Sequence, residues 1–133
     1  MTQKKILVPI DPGKKNFKAL YHALALAERI QAKVFILLAR QLGNPHQLDS
    51  WVEEVLMDII HGACEEGLQV SYHIAEDGFE EEIISLVESE HIDLIVVSAD
   101  KGHMNGILQR IIPQMSTQII QVRGKDNTTD LVE

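Results

Sequence analysis

The chain has 133 residues, 45% hydrophobic and 24% charged, the balance of one globular domain rather than a disordered chain. Twelve Lys and Arg stand against twenty Asp and Glu, giving −8 at pH 7, the wrong sign for a main partner of nucleic acid, because duplex binding rests on basic side chains displacing counterions. One cysteine excludes an internal disulfide framework, and no apolar run approaches the roughly 18 residues of a membrane span.

The first apolar run, Lys5-Ile-Leu-Val-Pro-Ile10, reads as a strand buried on both faces. It is too brief for the h-region of a signal peptide and no small-residue cleavage site follows, so a cytoplasmic chain without membrane insertion is expected. Pro9 argues against a central strand, because it cannot donate to a ladder, although it sits near the strand's end. Asp11-Pro12-Gly13 is a turn signal. Asn16 is a suitable helix cap. Behind it Phe17, Leu20, Leu24 and Ala27 recur at helical spacing, with Ala23 and Ile30 widening the stripe, so a helix is expected to about Gln31. Lys33 to Ala39 reads as a second buried strand, and Gly43-Asn44-Pro45 breaks the chain again.

Ser50 and Glu53 have capping-box spacing. Val52, Val55, Leu56, Ile59 and Ile60 then form one face of a second helix, and Gly67 is placed to end it. Gln69 to His73 alternates weakly, as a short third strand at an edge would. After the Asp77-Gly78 turn, Glu80, Glu81 and Glu82 occupy the first turn of a third helix, where the macrodipole favours anions. Its core face is Ile83, Ile84, Leu86 and Val87. Asp93 to Val97 reads as a fourth buried strand, Ser98 to Gly106 as a glycine-containing loop, and Ile107 to Gln114 as a fourth helix. Gln118 to Val122 is the fifth strand. The domain is therefore assigned to residues 1–123, and the polar, acidic residues 124–133 to a flexible tail. Strands alternating with helices imply an α/β domain whose parallel sheet is covered by helices on both faces. Such sheets bind ligands beyond the strand C-termini where strand order reverses. Here that means the loops after Ile10 and Val97.

Two segments carry a family resemblance. Lys4-Lys-Ile-Leu-Val-Pro-Ile-Asp11, Ala19-Leu20, Ala23-Leu-Ala-Leu-Ala-Glu-Arg29 and Ala32-Lys33-Val34 resemble the opening of the universal stress protein family. Asp93-Leu-Ile-Val-Val97 and Gln118-Ile-Ile-Gln-Val122 resemble its close. Over residues 4 to 123 the resemblance implies a single-domain open five-stranded parallel sheet in the order 3-2-1-4-5, with a crevice between strands one and four. It also implies a dimer habit and a role in stress response.

One branch of that family binds ATP, through a pattern after strand four of Gly, two residues, Gly, nine residues, then Gly followed by Ser or Thr. Small residues there bring backbone N–H groups against the phosphates. In this chain Ser98 and Lys101 stand at the first two glycine places and Ile111-Ile112 at the last pair. Starting from Gly102 instead puts Asn105 and Met115 at the later glycine places. Gly102 and Gly106 then read as turn glycines, and the loop is short for wrapping a triphosphate. Asp11 matches an acid that lies near the adenosine in the nucleotide-binding branch, and Arg40 stands at or beside a place that is usually small and apolar. The chain thus resembles the branch without the ATP motif, and no cofactor is expected.

Lys14, Lys15 and Lys18 follow strand one and Lys101 follows strand four, so the fold brings four cations to one sheet edge. They suit a weak site for a phosphate or small acid; solvated lysines near Asp11 and Asp100 are the plainer alternative. The crevice set is therefore Asp11, Lys14, Lys15, Arg40, Ser98, Lys101 and Gly102. Ser98, Asp100 and His103 suggest a hydrolase triad, but no Gly-x-Ser-x-Gly elbow surrounds the serine. His61, Cys64 and Glu65 share one helix face without the further ligands a zinc site needs, and a lone helical cysteine reads as a buried small apolar group. Trp51 reads as an anchor of the second helix, with an exposed partner-binding aromatic as the alternative. Gln118, Ile119, Ile120, Gln121 and Val122 form an apolar edge strand that invites antiparallel pairing with a second copy.

The leading expectation is a small cytoplasmic stress-response protein, binding or regulatory and non-catalytic, that forms a homodimer through its last strand and has room for a protein partner. One alternative is an ATP-binding member with slow hydrolysis or nucleotide-switched partner binding. The other is an accessory sensor domain of a transporter or channel; the initial Met and the lack of a span favour a stand-alone protein.

Overall fold

The computed structural model describes residues 3–10, 17–39, 50–76, 78–98, 103–111, 113 and 117–122, and for 50, 51 and 103–105 the backbone alone. Strands β1 (Lys5–Ile10), β2 (Lys33–Ala39), β3 (Gln69–Ala75), β4 (Leu94–Ser98) and β5 (Gln118–Val122) alternate with helices α1 (Lys18–Ile30), α2 (Ser50–Glu65), α3 (Phe79–Glu90) and α4 (His103–Ile111). All strand pairs are parallel, in the order β3-β2-β1-β4-β5. Right-handed crossovers explain the layers. The chain steps one way through β1, β2 and β3, which puts α1 and α2 on one face. It then reverses to β4 and β5, which puts α3 and α4 on the other.

Strand periodicity divides the core accordingly. Ile6, Val8, Val34, Ile36 and Leu38 pack under α1 and α2 with Leu20, Ala23, Leu56 and Ile60. Leu7, Phe35, Leu37, Ile95 and Val97 pack under α3 and α4 with Phe79, Ile83, Leu108 and Ile111. A strand covered on both faces needs apolar residues at successive positions, which is why β1, β2 and β4 read as near-continuous hydrophobic runs.

Three helices end by one device. After α1, Gln31 adopts φ 60° and the Ala32 N–H donates to the Ala27 carbonyl at 3.0 Å. After α2, Gly67 has φ 93°, its N–H reaches Cys64 at 3.0 Å and the Leu68 N–H reaches Ala63 at 3.1 Å. After α3, His91 has φ 58° and the Ile92 N–H reaches Val87 at 3.2 Å. These are left-handed caps of the Schellman type, each followed by an apolar residue that pins the exit. Two of them feed the strands beside β1 directly. The Lys33 N–H donates to the Lys4 carbonyl and the Asp93 N–H to the Lys5 carbonyl, both at 2.9 Å.

Several boundaries differ from the sequence expectation. The N-cap position of α1 is Phe17, with no side-chain capping bond; Asn16 lies outside the described residues. Ile30 is 44% exposed rather than part of the buried stripe. Ser50 is already helical, so it sits inside the first turn rather than at the cap. Strand β3 continues to Ala75, because Ile74 and Ala75 keep register with Leu38 and Ala39. Asp93 is no strand residue but a clip, its carboxylate accepting the Lys5 N–H at 2.9 Å. Helix α4 runs from His103 to Ile111 and so starts four residues earlier than expected, and Pro113 lies in a 3-10 turn beyond it. Gln114, its expected end, lies outside the described residues. The expected tail, residues 124–133, lies outside the described residues.

Candidate functional site

The sheet opens where strand order reverses, between β1 and β4. On its other side β1 pairs with β2 over its whole length, from Lys5↔Lys33 to Ile10↔Leu38. Towards β4 it pairs only at Ile6↔Leu94 and Leu7↔Ile95, although β4 itself stays paired with β5 to Ser98↔Val122. The end of β1 therefore diverges from the end of β4.

Pro9 accounts for the divergence. The Lys4 carbonyl bonds on the β2 side and the Lys5 carbonyl on the β4 side. Backbone groups alternate in direction along a strand, so those of Leu7 and Pro9 face β4, and those of Ile6, Val8 and Ile10 face β2. Proline has no N–H to offer. Its missing donor falls where the β1–β4 ladder stops, and the β2 ladder loses nothing. A proline that argued against a central strand is accommodated in one, because it is silent only towards the crevice.

Of the residues assigned to this crevice from sequence, Ser98 is half-buried at the end of β4, at the mouth. Asp11, Lys14, Lys15, Arg40, Lys101 and Gly102 lie outside the described residues. Lys18 is the exposed first residue of α1. Asp100 is likewise outside, and of His103 only the backbone is described, so Ser98 is the one described side chain of the suggested triad.

The connection from β4 to α4 is shorter than the sequence suggested. Only residues 99–102 separate Ser98 from the first residue of α4. Gly106 is a helical residue rather than a turn glycine, and a Cβ there would meet nothing within 4 Å. Ile111, at the third glycine place of the ATP pattern counted from Ser98, is the last residue of α4 and is fully buried. The segment from 103 to 111 thus forms a helix whose inward face is core.

The other candidates separate. His61, Cys64 and Glu65 are all exposed on α2, and no group of three or more metal-ligating side chains converges among the described residues. Cys64 is exposed rather than buried, because the inward positions of α2 are Val52, Leu56, Ile60 and Ala63. Only the backbone of Trp51 is described. Strand β5 forms one edge of the sheet. Ile119, Ile120 and Val122 are half-buried, Ile119 against the α3/α4 core and the other two against the α1/α2 core, while Gln118 and Gln121 are exposed. Sequence reasoning passed over the strip between α1 and α2, where Leu24 and Ile59 stay half-buried. Its signal is Gly62, a poor helix former inside an otherwise well-formed helix.

The model of the universal stress protein family matches residues 2–122. No curated protein matches the chain at a significant level. Among solved structures, a universal stress protein in complex with cAMP matches with TM-score 0.66 and 16% identity, over 92% of this chain and 98% of the other. The Archaeoglobus fulgidus universal stress protein in complex with dAMP matches with TM-score 0.63 and 16% identity, over 91% and 98%. The Lactobacillus plantarum universal stress protein matches with TM-score 0.61 and 19% identity, over 92% and 100%. The chain belongs to the universal stress protein family.

Proposed function

We propose that this stress-response protein is a non-catalytic binding or regulatory member of its family, acting in the cytoplasm, whose crevice does not hold ATP tightly. The observation that supports the reading is Ile111. A tight triphosphate site needs backbone N–H groups brought against the phosphates by residues without side chains. Counted from Ser98, the third glycine place is a fully buried core isoleucine at the end of α4, and the helix begins after four intervening residues. Lys101 stands at the second glycine place. No helix among the described residues is long and apolar enough to cross a membrane, which fits the proposed location. Calorimetry with ATP at physiological salt is the test. Weak binding that fades as salt rises is expected, because attraction by lysine charge alone is screened over about 8 Å. A salt-insensitive dissociation constant in the low micromolar range would overturn the reading.

A second reading is favoured by the open ends of β1 and β4 together with the two neighbours solved with cAMP and dAMP. The crevice would then take an adenine nucleotide with a single phosphate, which asks less of the loop after β4. Titrating AMP and cAMP beside ATP distinguishes the two, since this reading requires the monophosphates to bind more tightly.

The proposed assembly is a homodimer paired antiparallel through β5. Its apolar residues are only half-buried at an unpaired edge, a surface that natural sheets cover or pair. Light scattering at micromolar concentration is expected to give a dimer, and Val122→Pro a monomer. A stable monomeric parent protein would remove this proposal.

A further inference from the structure

Helices α1 and α2 are crossovers of the same direction on the same face, so they run side by side. Each buries its own stripe in the sheet, and between their outward sides remains a trough of about 490 Å³. Tyr21, Leu24, Ile59, Gly62 and Ala63 line it. Tyr21 is 57% exposed, a large aromatic held in solvent. Leu68, just before β3, also lines it, so the trough reaches the strand N-termini, the end of the sheet opposite the crevice. The rim is anionic. Glu28, Asp58 and Glu66 border the apolar surface, and none of the three is paired with a cation among the described residues. Helix α2 carries Glu53, Glu54, Asp58 and Glu65 and no Lys or Arg.

We propose that this trough docks a basic amphipathic helix of a partner protein. Small ligands are usually 70–90% enclosed, whereas this trough is open along its length between two parallel cylinders. That shape suits a third helix presenting apolar anchors at i, i+3/i+4 and i+7. The three carboxylates require Lys or Arg beside those anchors. Charge complementarity also sets the occupant against a second copy of this chain, which carries −8. The proposal rests on the binding role above and names its partner class. Nucleotide and helix would occupy different surfaces, so ATP titration and helix titration fail or succeed separately.

Gly62 supplies the test. A Cβ there meets nothing within 4 Å, so Gly62→Ala fits and is expected to raise the thermal midpoint, while Gly62→Phe projects into the trough. The probe is a fluorescein-labelled Leu/Lys peptide of about 18 residues, long enough for five helical turns, with leucines on one helical face. Its control is a scrambled peptide of the same composition. Fluorescence anisotropy is expected to give micromolar, salt-sensitive binding of the amphipathic peptide, and binding of the scrambled one at least roughly tenfold weaker, equivalent to about 1.4 kcal/mol. Gly62→Phe should lose a similar factor without any change of charge. The double variant Asp58→Lys with Glu66→Lys should lose at least as much, and carries the test alone if Gly62→Phe does not fold. Glu88→Lys, on α3 across the sheet, should stay within about twofold of the parent. Equal binding of the two peptides, or peptide binding unmoved by the folded trough variants, would overturn the proposal. So would self-association of the parent protein that Gly62→Phe abolishes, or preferential uptake of dodecyltrimethylammonium at this trough.

Discussion

The two sides of β1 begin alike and end differently. On each side a helix closes on a left-handed residue, Gln31 or His91, followed by a buried apolar residue, Ala32 or Ile92. The next N–H then bonds to the start of β1, from Lys33 on one side and Asp93 on the other. Towards β2 the ladder continues through Ile10. Towards β4 it stops at Leu7, two residues before the proline whose missing donor faces that way. The start of each neighbouring strand is thus set by a helix cap, and the extent of each ladder by which strand residues can donate. A crevice thus opens in a parallel sheet whose core stays continuous beneath it.

If side-chain packing rather than ladder length holds the β4 half, Ile95→Ala should cost as much as Leu37→Ala. Both side chains are fully buried in the same layer under α3 and α4, and each truncation is expected to cost about 3 kcal/mol. Urea midpoints with unchanged slopes would measure this. A much cheaper Ile95→Ala would make the short ladder a mark of a loosely held half and break the comparison.

The likeness of the β2 and β4 starts is sharpened at the caps. A non-glycine residue in the left-handed region is strained, and glycine relieves that strain. Gln31→Gly and His91→Gly are each expected to stabilise by about 0.5–1 kcal/mol, while Gly67→Ala at the corresponding place after α2 destabilises by about 1 kcal/mol. Thermal midpoints of the three variants test it. Unequal effects at positions 31 and 91 would mean that the two strand starts are alike in geometry but not in energy.

The smallest effect on stability is expected where the two sides part. Pro9→Ala places an N–H towards β4 and loosens the unfolded chain. A hydrogen bond adds about 0.5–1.5 kcal/mol and the lost proline constraint removes about 0.4–1 kcal/mol, so the net change should stay below about 1 kcal/mol. The informative reading is hydrogen exchange at residue 9. A protected amide is expected, reporting that the ladder has extended and the crevice narrowed; an amide exchanging at the solvent rate would place the cause of the divergence outside Pro9.

The sheet was legible because strands buried on both faces leave continuous apolar runs, as in Ile6 to Ile10 and Val34 to Ala39, and because the alternation with helices allows few topologies. The strand order came with the family resemblance, not from the pattern. What periodicity could not place were the ends. The clip role of Asp93 and the extension of β3 through Ile74 depend on partners distant in the chain, Lys5 and Leu38. The early start of α4 hid behind Gly102 and Gly106, which look like loop residues although the second is helical. Of the crevice, the opening was foreshadowed by Pro9, but which side of β1 it silences follows from strand phase, which needs both neighbours. The trough between α1 and α2 left one trace, Gly62, because an unfilled surface is marked by what is missing from it.

Ile111 also sets a direction on how this chain can change. In the register counted from Ser98, the route to the family's ATP-binding glycine pattern passes through Ile111→Gly. That step removes a fully buried side chain and puts glycine into a helix, a loss on the order of 4 kcal/mol against a domain stability of typically about 5–15 kcal/mol. The intermediate would lose a large part of that stability before it gained any phosphate contact, since the loop and Lys101 would still be unsuited. Once position 111 serves the core, that register of the nucleotide pattern is separated from this sequence by a costly step, and selection for a folded protein acts against taking it.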